Sequence, residues 1–249
     1  MKTNVYHITY TPATRSASLR FWGCNMDCRG CLCKKEVYDS LLKENLLVGD
    51  RRSESNVEPP DRFLAFDEVM ELLGKLKLEK VYLTGEEATV DPNFGELTKE
   101  FRERLGTRNI LYTNGYKMPV IEYIDQVEVG IKAYSDELHR DYTGRPAKRV
   151  LDNFVKYYQA GKDLTAASIV IPGYVDAEEI EKVARFVASV DVTIPYYLLP
   201  YFPAGDNPWR KTTEDEVAAA VKLAQKHLNN VCGCKGNREE LIYEVVRVF

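Results

Sequence analysis

The sequence has no long apolar run, no internal repeat and no low-complexity stretch. A membrane-spanning helix needs about 18 or more consecutive apolar residues, whereas the longest apolar runs here, residues 166–171 and 194–202, are only as long as strands. The first residues lead into no apolar segment of the kind that a secretory signal contains. We therefore expect no membrane partner and no secretion, and we place the protein in the cytoplasm.

An excess of charge of one sign is absent as well. The 249 residues include 34 Lys and Arg against 38 Asp and Glu, and 45% of them are apolar. This composition excludes collagen, coiled coil and wholesale disorder, and its slightly acidic balance gives no reason to expect a nucleic-acid partner. We assign residues 1–249 to a single domain, with an exposed insertion at 40–62, where prolines and charges are frequent, and a C-terminal extension at 230–249.

Strand-like and helix-like segments alternate along the chain, which predicts an α/β fold. Six strand–helix units in succession predict a parallel sheet with right-handed crossovers, and such sheets carry their functional site at the carboxyl ends of the strands. The predicted strands are residues 18–22, 80–83, 109–112, 126–131, 166–171 and 193–199. The predicted helices lie at 66–76, 94–105, 118–124, 151–158, 180–187 and 217–228, and residues 241–249 are a closing strand or helix.

Six cysteines carry most of the chemical information. Cys24, Cys28 and Cys31 lie so close in sequence that one loop can present three thiolates, the soft ligands that iron–sulfur chemistry needs. Three thiolates can hold three irons of a [4Fe–4S] cluster and leave the fourth iron open to another ligand, although paired cysteines also bind zinc. Cys33, Cys232 and Cys234 are either bystander thiols or part of a second cluster site.

The three-cysteine motif after a first strand resembles that of the radical S-adenosylmethionine (SAM) superfamily. Further matches follow in the same order as in its pyruvate formate-lyase activating enzyme branch, over roughly residues 18–209. Residues 84–87 resemble the Gly-Gly-Glu motif and residues 112–115 the Asp-Thr-Asn-Gly segment. The remaining matches are residues 136–144, 169–174 and 198–205.

This resemblance implies a partial (β/α)6 barrel, a [4Fe–4S] cluster on Cys24, Cys28 and Cys31, and SAM as the second cofactor. It implies reductive cleavage of SAM to a 5′-deoxyadenosyl radical that takes hydrogen from a substrate, in this branch a glycyl-radical enzyme. A low-potential ferredoxin or flavodoxin is the implied electron donor. In this interpretation Glu86 suits the ammonium group of SAM and Lys132 its carboxylate or ribose. The implied SAM-binding residues are Gly30, Thr84, Gly85, Glu86, Thr113, Asn114, Lys132, Leu199 and Phe202.

Three departures from the branch pattern widen the choice of substrate. Tyr112 and Gly130 stand where the branch has aspartates, and Phe202 stands where it has a histidine. A small metabolite, a peptide or a nucleobase is therefore an alternative substrate, and a zinc-binding, non-catalytic interaction protein is the alternative from another class. We further expect Glu87 at a solvated rim and His139 in a packing or capping role.

Overall fold

The computed structural model describes residues 1–34, 39, 42, 58–236 and 243–249, and in these residues one sheet has nine strands, flanked by six helices. The strands are β1 (Val5–Thr11), β2 (Ser16–Phe21), β3 (Lys80–Gly85), β4 (Arg108–Thr113), β5 (Gln126–Gly130), β6 (Asp163–Val170), β7 (Tyr196–Pro200), β8 (Val231–Gly233) and β9 (Val246–Arg247). The helices are α1 (Phe66–Gly74), α2 (Phe94–Leu105), α3 (Asp136–Thr143), α4 (Ala147–Gln159), α5 (Ala177–Val190) and α6 (Glu214–Ala224).

The strand order is β8-β7-β6-β5-β4-β3-β2-β1-β9. Neighbours from β2 to β8 are parallel, whereas β1 is antiparallel to β2 and β9 is antiparallel to β1. This mostly parallel sheet with outer helices confirms the predicted α/β fold. Among the described residues no helix is long and apolar enough to cross a bilayer.

The sheet curls into a partial barrel. Three strand spacings, about 14 Å on a flat sheet, separate β4 from β7, yet Tyr112 on β4 and Leu199 on β7 line the same cavity. The concave face, which we call the lumen, carries these two side chains. The opposite face is apolar and fully buried beneath the helices, as at Leu111 and Val127.

The helices follow from apolar residues repeated at helical spacing. In α5 the fully buried residues are Ile180, Val183, Ala184 and Val187. Asp176 precedes this helix, and its carboxylate accepts hydrogen bonds from the first backbone N–H groups, which satisfies donors that the helix itself leaves unpaired. Local sequence and tertiary burial therefore specify the same helix.

The predicted helix at residues 118–124 is wrong. This segment is irregular and has only a turn, in which the Ile124 N–H donates to the Ile121 carbonyl. Pro119 lacks a backbone donor, and seven residues are too few to form a stable helix without strong packing. Ile124 is still buried, so its apolar character reflects packing in the core and not a helical face.

The C-terminal segment belongs to both edges of the sheet. β8 pairs with β7 at one edge, while β9 pairs with β1 at the other, where the Ile8 N–H donates to the Phe249 carbonyl at 3.0 Å. The prediction of a closing strand in this region is confirmed for β9, while residues 241 and 242 lie outside the described residues. So does most of the insertion predicted at 40–62, where only Leu42 and residues 58–62 are described.

Candidate active site

A cavity of about 200 Å³ lies at the carboxyl ends of the parallel strands. It brings together most of the residues that the sequence singled out, although they come from five separate segments. The predicted residues that line it are Cys24, Cys28, Cys31, Thr84, Gly85, Glu86, Thr113, Asn114, Lys132 and Leu199. The other lining residues are Tyr112, Glu128, Gly130, Ala167, Ser168 and Ile169.

The cysteine loop follows β2 and is fixed to the end of α3. The backbone N–H groups of Asp27 and Arg29 donate to the carbonyls of Thr143 and Tyr142 at 3.0 and 2.9 Å. The Arg29 guanidinium also pairs with the Asp141 carboxylate at 2.7 Å. These bonds hold the loop between Cys24 and Cys31 in one conformation, as a site for an inorganic group requires.

Gly30 faces away from the cavity. Its φ is +70°, and a Cβ there would lie 2.8 Å from the Tyr201 hydroxyl and 3.2 Å from the Asn207 amide. Glycine is therefore required for the loop to pack on this pair. Gly30 does not line the cavity, and nothing in its surroundings supports the predicted SAM contact.

The thiols fit a cluster with three protein ligands. Cys24, Cys28 and Cys31 form no disulfide and lie on one cavity wall, whereas the half-buried Cys33 thiol donates to the Gly85 carbonyl at 3.2 Å. Within the described ranges no three His, Cys, Asp or Glu side chains have the arrangement that holds a single metal ion.

Electrostatics also favour a positively charged occupant. The pKa of the Cys24 thiol is raised to about 11, mainly by burial and in smaller part by the nearby Glu87 and Cys31. Metal ligands must be deprotonated to bind. Because like charges crowd this wall, the thiolates are stable only when a cationic group shares the site.

Gly85 brings β3 against the start of the cysteine loop. Its φ is +111°, and a Cβ would lie 2.5 Å from the backbone nitrogen of Phe21. The next residue, Glu86, reaches back so that its carboxylate accepts the Gly23 N–H at 3.0 Å. Glu86 therefore lines the cavity and also fixes Gly23, the residue before Cys24.

Glu87 is not at a solvated rim, as its place at a strand end led us to expect, but is 1% exposed. Its carboxylate accepts the Asn114 N–H at 2.8 Å, the Thr113 hydroxyl at 2.8 Å and the Thr89 hydroxyl at 2.5 Å. Burial raises the pKa of this carboxyl, and the hydrogen bonds oppose that rise. Two consecutive glutamates look alike in sequence, so only the structure separates the cavity residue from the buried one.

Asn114 links the β4 end to the cysteine loop. Its side-chain amide donates to the Asn25 side chain at 2.7 Å and to the Cys24 sulfur at 3.4 Å. Lys132, by contrast, has no hydrogen bond or ion pair in the part of the chain that the structure describes. Its ammonium is available for an anionic group such as a carboxylate.

Glu128 is the charged cavity residue that sequence reasoning missed. It lies on β5 between the buried Val127 and Val129, and it faces the lumen beside Tyr112, its partner in the β4–β5 register. Burial raises its pKa to about 7. The only sequence signal was a charged residue in the middle of an apolar strand, a pattern that also occurs on solvated faces.

Three other segments lie elsewhere. Phe202 does not line the cavity, and the Lys211 ammonium lies 4.8 Å from its ring centroid. Residues 172 and 173, at the end of β6, line a separate cavity of about 420 Å³. His139 is buried, with Nδ1 2.6 Å from the Arg145 carbonyl oxygen, which confirms its packing role.

Comparisons with known proteins give one consistent family. A protein of Methanocaldococcus jannaschii provisionally named a glycyl-radical enzyme activating enzyme is 28% identical over 239 residues, which span 90% of this chain and 82% of that protein. The isethionate sulfite-lyase activating enzyme of Oleidesulfovibrio alaskensis is 33% identical over 134 residues, which span 50% of this chain and 42% of that protein.

Solved structures share the fold at low identity. Streptococcus suis SuiB has a TM-score of 0.61 at 13% identity, over 87% of this chain and 47% of that one. TYW1 with a lysine–pyruvate adduct has a TM-score of 0.58 at 18% identity, over 88% of this chain and 76% of that one. The Radical SAM superfamily model matches residues 21–187, well over half of the sequence. The chain therefore belongs to the Radical SAM superfamily, whose members are enzymes that use a [4Fe–4S] cluster and SAM.

Proposed function

We propose that this protein is a radical SAM oxidoreductase of the activating-enzyme type. Cys24, Cys28 and Cys31 would hold the [4Fe–4S] cluster, and the remaining cavity wall would hold SAM. When bound, this pair of cofactors supplies one-electron cleavage of the sulfonium and hydrogen abstraction from a substrate. The observation that carries the proposal is the single cavity in which three thiols meet the ends of β3, β4 and β5.

The residues of the chain have distinct parts in this proposal. Lys132 would hold an anionic group of SAM, because no acidic residue pairs with it in the described part of the chain. Glu86 would attract the ammonium group by charge. Asn114 would keep the strand end at a fixed distance from Cys24 through its amide. Glu87 would act only through Thr113 and Asn114, whose positions it fixes.

A glycyl-radical enzyme is the first candidate substrate. The named activity of the relatives supports it, since two of them are called activating enzymes. A small molecule or peptide is the second candidate. It is favoured by Tyr112 and Glu128, which give the lumen its own polar lining at the floor of the cavity. We also retain the single-domain interpretation in this proposal, since strands from both ends of the chain join one sheet.

An acidic ferredoxin or flavodoxin is the proposed electron donor. Arg145 and Arg149 are exposed, and both guanidinium groups lie over the ring of Tyr116. Arg145 also donates to the Asn25 carbonyl at 2.9 Å, within the loop itself. A positive edge this near the thiols would steer a negatively charged carrier toward the cluster.

The test is anaerobic. The protein is reconstituted with iron and sulfide and reduced with dithionite, SAM is added, and 5′-deoxyadenosine is quantified. We expect formation above a protein-free control, and loss of that activity in Cys28→Ala. Cys232→Ala is the matched control, because this exposed thiol lies outside the cavity, and it is expected to retain activity. Normal 5′-deoxyadenosine formation by Cys28→Ala would contradict the proposal.

A further inference from the structure

Three tyrosines and one glutamate face the lumen, and two of them, Tyr112 and Glu128, also line the cavity. Tyr82, Tyr112 and Tyr197 lie on β3, β4 and β7, and Glu128 lies on β5. We call these four residues the tyrosine–glutamate box. The Tyr82 and Tyr112 ring centroids are 5.6 Å apart, and Tyr112 pairs with Glu128 in the β4–β5 register. Tyr197 pairs with the cavity residue Ala167 in the β6–β7 register, so all four side chains face the lumen.

The carboxylate in this box has no bonded counter-charge among the described residues, although the Lys132 ammonium lines the same cavity. Glu128 has no hydrogen bond and no ion pair with any residue that the structure describes. Arg108, which lies near Tyr82, pairs instead with Asp163 at 4.0 Å. A half-buried carboxylate without a partner is costly, and packing alone does not account for a glutamate between two core valines.

The residue types identify the missing partner. Aromatic rings attract cations through the negative faces of their π systems, and a carboxylate supplies both counter-charge and a strong hydrogen-bond acceptor. Neutral or anionic groups gain little from either. The box therefore has the chemistry of a receptor for an ammonium group.

We propose that the tyrosine–glutamate box binds a primary or substituted ammonium group of the substrate. This inference rests on the proposed function and narrows its substrate class, because a backbone glycine carries no such cation. It favours a small amine or a peptide with a basic side chain. Glu128 is then the residue that selects the substrate, and the three tyrosines enclose the bound cation.

The experiment measures cation binding directly. Reconstituted protein with SAM is titrated with n-butylammonium and, separately, with 1-butanol, a neutral molecule of the same length, and saturation-transfer NMR reports binding. We expect the ammonium to bind about tenfold more tightly than the alcohol, and Glu128→Gln to remove that preference. Glu122→Gln, at an exposed carboxylate, is the matched control and is expected to bind as the wild type does.

A second variant keeps the inference testable if Glu128→Gln does not fold. Tyr112→Leu removes a ring and leaves the charge, so we expect affinity for the ammonium to fall about threefold. Equal binding of the two probes, no binding of n-butylammonium, or an unchanged preference in folded Glu128→Gln would overturn the inference. The proposed function fails separately, when the wild type has a full cluster but forms no 5′-deoxyadenosine, whatever the titration shows.

Discussion

The carboxylate of Glu87 accepts the backbone N–H of Asn114 at 2.8 Å, across the gap between β3 and β4. This bond joins two strand ends that both line the cavity, while Glu87 itself is buried behind it. Glu87 thus fixes the backbone of Asn114. The contact of the Asn114 side-chain amide with the Cys24 sulfur at 3.4 Å therefore depends on a residue that does not line the cavity.

Glu87→Ala is expected to destabilise the protein by about 2–4 kcal/mol, because it leaves the Asn114 N–H and the Thr113 hydroxyl without their buried acceptor. Urea unfolding measures the change, and Glu122→Ala, at an exposed carboxylate, is the control. Glu87→Gln, which keeps a hydrogen-bond acceptor, is expected to lose less stability than Glu87→Ala. Equal stability of Glu87→Ala and wild type would show that these hydrogen bonds contribute nothing.

Gly85→Ala is expected to lower the free energy of unfolding by at least about 3 kcal/mol. The new Cβ would lie 2.5 Å from the backbone nitrogen of Phe21, and the φ of +111° is one that alanine rarely adopts. Gly74→Ala is the matched control, because nothing lies within 4 Å of its Cβ position and alanine favours the end of α1. Thermal unfolding compares the two variants. An unchanged melting temperature in Gly85→Ala would show that β2 and β3 separate easily at this point.

Glu128→Gln is expected to stabilise the folded protein at high pH. Burial raises the folded-state pKa of Glu128 from 4.5 to about 7, so the folded protein holds this proton more tightly than the unfolded chain does. This tighter proton binding adds to the free energy of unfolding. The contribution is fully present below about pH 4.5 and is lost as the pH rises through 7.

A neutral glutamine avoids this loss, so we expect the free energy of unfolding to rise by about 1–3 kcal/mol at pH 8 and to change little at pH 5. Urea unfolding at the two pH values provides the measurement. The phenols of Tyr82 and Tyr112 lie nearest to Glu128, and they stay neutral over this range because burial raises their pKa values. The opposite dependence, with stabilisation at pH 5 only, would mean that Glu128 is paired in the folded protein.

Arg149→Glu is expected to slow reduction of the cluster by an acidic flavodoxin about five- to tenfold at low salt. It reverses a charge that shares the Tyr116 ring with Arg145, whose guanidinium contacts the cysteine loop. Reduction by dithionite is expected to stay unchanged. Stopped-flow absorbance follows both reactions. Arg104→Glu on α2, which is distant in sequence from the cysteine loop, is the control. Equal slowing with both reductants would indicate damage to the loop and no docking role.

Much of this architecture could be predicted from sequence, because its signals are local. Helical spacing identified α2 and α5, and the three cysteines and the motifs at strand ends identified most of the cavity. The β4–β5 connection could not be predicted, because the apolar residues at 118–124 pack in the core without forming a helix. β1 was missed as well, since its buried face includes His7 and Thr9 and does not alternate cleanly.

The roles of individual carboxylates could not be read from the sequence either. Glu86, Glu87 and Glu128 differ in burial and partners, and those depend on which strand lies next to which. The same limit applies to Gly30 and Phe202. Both occupy motif positions, yet Gly30 packs against Tyr201, Phe202 packs against Lys211, and neither lines the cavity.

The most direct test of the central claim, that one cavity holds both cofactors, is the electron paramagnetic resonance spectrum of the reduced, reconstituted protein with and without SAM. If Cys24, Cys28 and Cys31 hold a cluster with one open iron beside Lys132 and Glu86, SAM changes the spectrum, and Cys28→Ala gives no such response. A protein with a full complement of iron and sulfide whose spectrum is identical with and without SAM, or one that binds zinc and no iron, would contradict the account.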